Sequence, residues 1–157
     1  MTSEQRKDVY LEATHTTGLF RKLYHVSTKN LNGQVLHPKI PHNYLTEQDL
    51  EESKTARICF SPNIDRCLMA LSENLKGKEL YVHIPLDKTK YEDVKNTQVP
   101  DSDLTKEKWV TCDVEMKCIG KIIVTESKKK EYHYKTKDGK NHPLYKWNWK
   151  WIEKFRK

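Results

Sequence analysis

The stretch RICFSPNIDRCLMAL, residues 57 to 71, constrains the fold more than any other part of this chain. Arg57, Ile58, Cys59 and Phe60 read as a short apolar strand, and a helical pattern follows directly. Ile64, Cys67, Leu68, Leu71 and Leu75 recur on one helical face, the spacing of an amphipathic helix. Ser61 is expected as its N-cap with Pro62 in the first helical position, and Gly77 as the cap at its far end. A single strand-to-helix unit of this kind needs a sheet for the helix to cover.

The remaining apolar segments supply that sheet. Residues 23–26, 79–84, 108–111 and 117–125 read as strands, and Asp138-Gly139 marks a tight hairpin turn. In WNWKW, residues 147 to 151, Trp alternates with Asn or Lys, so a strand would turn all three indoles to one side. Pro38 and Pro41 exclude a continuous helix from the polar stretch between residues 30 and 56, which leaves space for one helical turn after Thr46. The expected fold is α+β, a mixed or antiparallel sheet with few helices. No βαβ alternation and no Gly-rich phosphate loop is present, which excludes Rossmann and P-loop folds.

A chain of 157 residues is expected to form one domain. We divide it into an N-terminal arm (1–21), a core (22–126) and a basic, Trp-rich hairpin extension packed on the core (127–157). The net charge of +7 is confined to the extension. From Lys128 onward there are 11 basic and 3 acidic residues, against 18 and 19 before it. No apolar run approaches the roughly 18 residues of a membrane span, and the N-terminus lacks the apolar core of a signal peptide. Cys59, Cys67, Cys112 and Cys118 have neither disulfide-framework nor zinc spacing. Reduced thiols in the cytoplasm and no metal site are expected.

Three places could carry chemistry. His25 stands inside the strand of RKLYHVST. Ser61 opens the helix, where backbone N–H groups favour an anion. Asp101, Asp103 and Glu107 cluster in VPDSDLTKEKWV, before or at a strand edge. Each also has an ordinary structural explanation: a hydrogen-bonded core histidine, a helix cap, a solvated strand edge.

The order of these motifs resembles the ADP-ribosyltransferase fold, in the diphtheria-toxin-like branch related to the RNA 2′-phosphotransferases. LYHVS is similar to that family's first-strand motif, ARICFSPNIDRCLMAL to its second and LTKEKWV to its third, over residues 22 to 125. The resemblance implies NAD as the substrate-cofactor and a macromolecule, or water, as acceptor of ADP-ribose. It implies that His25, with Ser27 beside it, meets the ribose on the adenosine side. Phe60 and Ser61 would line the nicotinamide pocket, and Arg57 would reach the pyrophosphate. Glu107, with His25 the catalytic pair, would stabilise the cationic ribose and position the nucleophile, with Asp101 and Asp103 as substitute carboxylates. Where the family usually has an aromatic hydroxyl, this chain has Cys59 or Phe60.

Two other functions stay open at this level. His25-Val26-Ser27 and His83-Ile84-Pro85 are similar to the paired strand motifs of two-histidine phosphoesterases, although Pro85 replaces the second hydroxyl. The extension interleaves its lysines with Tyr132, Tyr134, Tyr145, Trp147, Trp149, Trp151 and Phe155, a combination suited to nucleic acid or to an acidic protein partner. Alternatively, the indoles pack inward and only the lysines face solvent.

Overall fold

The computed structural model describes residues 23–41, 47, 51, 53–71, 74–95 and 98–155, with the side chains of 126–130 excepted. The N-terminal arm and most of the expected helical turn after Thr46 lie outside these residues.

Among the described residues eight strands and two short helices follow one another. They are β1 (His25–Ser27), β2 (Val35–Leu36), β3 (Ile58–Phe60), α1 (Ile64–Ala70), β4 (Glu79–Pro85), β5 (Glu92–Asp93), α2 (Ser102–Thr105), β6 (Lys108–Val110), β7 (Val114–Lys135) and β8 (Asn141–Lys154). Every strand pairing is antiparallel. The coarse expectation of sheet with few helices therefore holds, with the parallel component absent from the described ladders. Three elements were not legible: β2 and β5 are two residues each and α2 is four, too short for any apolar period to register.

One sheet has β1, β4 and β7 side by side, with β2 and β8 also on β7; the other runs β3, β6, β5. Among the described residues an antiparallel bridge between Tyr24 and Ser61 joins β1 to β3, and a second, between Lys39 and Arg57, ties the segment after β2 to the start of β3. The first is the one beside His25; the backbones of Tyr24 and Ser61 exchange two hydrogen bonds, of 2.8 and 3.0 Å.

The helix differs from its expected form at both ends. Asn63, and not Ser61, is the N-cap: its side chain accepts from Arg66 N at 2.9 Å. Ser61 is committed to the bridge with Tyr24, so the chain is still extended there. The helix stops at Ala70, one turn before Leu75. Leu75 is nevertheless buried, because Gly77 turns the chain at φ 77° and hands its N–H to Val124 O. A non-Gly residue would resist that conformation.

Two cores result. Val26, Ile64, Cys67, Leu68, Leu75, Leu80, Val82, Ile122, Val124 and Trp147 pack between α1 and the larger sheet. Leu23, Ile58, Phe60, Tyr91, Val110, Val114 and Met116 form the second. Trp149 and Trp151 pack against the first core beside Trp147, and Trp149 Nε1 donates to Asp65 in the first turn of α1 (2.8 Å). The three indoles thus share the inward side of β8, as their alternation predicts. The boundary expected at 126/127 falls inside β7, which runs unbroken through it. The C-terminal segment is woven into the first core. Among the described residues no helix is long and apolar enough to cross a membrane.

Candidate functional site

The strands carrying the three motifs are neighbours. β3 lies between β6, its ladder partner, and β1, to which it is tied through the Tyr24–Ser61 bridge. His25 follows that bridge immediately. Its Nδ1 lies 3.2 Å from the carbonyl of Cys59, and since a carbonyl only accepts, Nδ1 carries the proton. An imidazole therefore satisfies a main-chain acceptor beside the Tyr24–Ser61 bridge. No described residue bonds Nε2, which leaves its lone pair for a ligand. The ring is half-buried, meets Phe60 edge-on at 5.9 Å, and burial lowers its pKa.

Glu107 enters β6 on the other side of β3. Trp109, two residues on and so on the same side of the strand, donates Nε1–H to Glu107 Oε2 at 2.7 Å. Burial pushes the carboxyl up to about 7, and the charges of Asp101 and Glu51 push the same way. The Trp109 bond and Arg57 oppose them. Asp101 is raised to about 6, by burial and then by Glu51. Tyr134, on the distal part of β7, is raised to about 12 by burial and by these same two carboxylates. The hairpin thereby brings a phenol towards the acidic cluster. Arg57 is its cation: it lies over the Trp109 ring at 4.1 Å, with Glu51 at 3.7 Å.

His25 and Glu107 do not touch. The register sets Phe60 opposite Lys108 and Tyr24 opposite Ser61, so His25 shares its row with Phe60 while Glu107 falls in the adjoining row. By strand alternation the two side chains leave opposite sides of the pleat. What they share is Cys59. His25 holds its carbonyl, and burial and then the Glu107 charge push its thiol well above the usual range.

The other expected residues are engaged in structure. Phe60 is 2% exposed within the second core, so its ring has no open face. Arg57 is 3% exposed and donates to Thr55 O at 3.1 Å. Ser61 is buried in the bridge, and Ser27 Oγ accepts from Lys29 N in a local turn (3.1 Å). Asp103 is exposed on α2.

His83 is paired with His25 across β1 and β4, their rings 6.2 Å apart. Both of its nitrogens are spent: Nε2 accepts from Leu31 N at 2.9 Å and Nδ1 meets His25 O at 3.2 Å. Burial lowers its pKa to about 4. It has no nitrogen left for acid or base work.

Trp109 and Glu51 are members of the site that sequence reasoning passed over. The Glu-x-Trp spacing on a strand was the available signal for the first. For Glu51, in an irregular segment, there was none. Comparison with protein-family models, with curated proteins and with solved structures gives no match.

Proposed function

We propose that the protein cleaves the nicotinamide–ribose bond of NAD and transfers ADP-ribose to a macromolecule, with hydrolysis when water is the acceptor. The observation that supports this most is the Glu107 carboxyl, raised to about 7 by burial and held by Trp109 Nε1–H, with His25 on the opposite side of the same pleat. His25, its tautomer fixed by Cys59 O, presents a ring nitrogen that no described residue bonds, suited to accept from a ribose hydroxyl and so to position the sugar. When the glycosidic bond breaks, its electron pair leaves with neutral nicotinamide and the ribose becomes cationic. An ionised Glu107 stabilises that charge electrostatically. As the acceptor bonds to the ribose carbon, its proton passes to the same carboxylate, general-base help typically worth about 10²–10⁴-fold. A carboxyl with a pKa of about 7 is well matched to both roles near neutrality.

The burial of Phe60 and Arg57 favours a second function, binding of nucleic acid or an acidic protein partner without turnover, because neither a stacking ring nor a pyrophosphate cation is on offer to NAD. The affinity for NAD tests the site. Trp109 touches Glu107, so its fluorescence should change as NAD is titrated, and His25→Ala should weaken binding at least tenfold. Unchanged affinity in His25→Ala would take His25 out of the site.

A further inference from the structure

We propose that the β7–β8 ribbon docks on B-form DNA, gripping its phosphates with lysines; only the role of that duplex as acceptor rests on the transfer chemistry above. β4 pairs with β7 only as far as Ile123, while the β7–β8 ladder continues to Lys135 and Asn141. Past Ile123, therefore, the described ladder is a two-stranded ribbon, packed on the body through Leu144, Trp147 and Thr136, which are buried. Its indoles face α1, and the alternate positions Lys146 and Lys150 of β8 are exposed. Lys135, Lys137 and Lys140 are exposed around the turn, and Lys154 near the end of β8. Among the described residues Lys135, Lys137, Lys146 and Lys150 form no ion pair.

From Lys128 onward three acids, Glu131, Asp138 and Glu153, stand against 11 basic residues. Asp138 bonds Thr136 and the Lys140 N–H, and Glu131 lies 3.5 Å from His133. A narrow ribbon with a lysine excess matches the major groove of B-form DNA, which admits two strands, whereas the major groove of A-form RNA is too narrow. Lysines on an edge strand also discourage pairing with other sheets, a role that requires no duplex.

The test is anisotropy of the intact protein with a labelled 20-bp DNA duplex, without NAD, across a salt series. The combined variant Lys135→Ala, Lys146→Ala, Lys150→Ala is compared with the wild type. Each lost phosphate contact should reduce the slope of log K against log salt by about 0.9, so the variant should lose about 2.7 of slope and keep the wild-type Tm. No binding by the wild type, an unchanged slope in the variant, or equal affinity for an RNA duplex or for polyglutamate would overturn the proposal. Nicotinamide release is measured separately without DNA, so failure of docking and failure of the NAD chemistry are distinguishable.

Discussion

Burial opposes the charge of Glu107, and that sets a direction for its effect on stability. Its folded pKa of about 7 lies above the ordinary 4.5, so the folded state holds the proton more tightly than the unfolded chain. The stabilisation is complete below the ordinary value and is lost as pH rises through about 7. Glu107→Gln keeps an acceptor for Trp109 and removes the charge. We expect it to raise Tm at pH 8, corresponding to added stability on the order of 1–3 kcal/mol, and to leave Tm nearly unchanged at pH 5. A lower Tm at pH 8 would mean that the ionised carboxylate is better solvated than its burial indicates. Gly120 poses a steric question instead. A Cβ there would stand 2.5 Å from Glu153 O and 2.6 Å from the Trp151 ring. Gly120→Ala should therefore cost about 1–3 kcal/mol through overpacking, measurable by urea unfolding.

At the scale of elements, the strand that carries Trp147 completes the first core. Trp147 is buried against Ile64, Leu68 and Val124, and α1 has β8 as a packing partner through Trp149 and Asp65. Trp147→Ala should cost about 3–5 kcal/mol. Truncation after residue 126 should abolish cooperative thermal unfolding, because it removes a strand that the helix packs on. A truncated chain with a sharp transition would show that the ribbon is an appendage. The elements that were legible in the sequence had strong local signals: the apolar face of α1, the alternation of Trp147, Trp149 and Trp151, the Asp138-Gly139 turn. The helix cap was misread because Ser61 and Asn63 are both good caps, and only the bridge to Tyr24 decides between them. That bridge spans 37 positions of sequence, beyond the reach of any local pattern.

For the whole molecule, opposing titrations shape stability around neutrality. His83 has its pKa lowered from 6.5 to about 4; its contribution is present above 6.5 and is lost as pH falls through about 4. Asp101 and Glu107 act in the reverse sense, losing theirs as pH rises through about 6 and about 7. Candidate site residues were legible singly, from residue type and strand context. Their arrangement was not, because strand order and pleat decide which side chains meet. His25 and Glu107 came out on either flank of Cys59, while Phe60 and Arg57 were drawn into the interior by Tyr91, Val110 and Trp109.

The most direct measurement is incubation of the intact protein with NAD labelled in the nicotinamide, followed across pH 5 to 9. Nicotinamide should be released at a rate that rises through pH 7 as Glu107 ionises. In Glu107→Gln release should fall at least a hundredfold while NAD still binds. No release by the wild type although NAD binds, or undiminished release by Glu107→Gln, would contradict the assignment of transfer chemistry to this site.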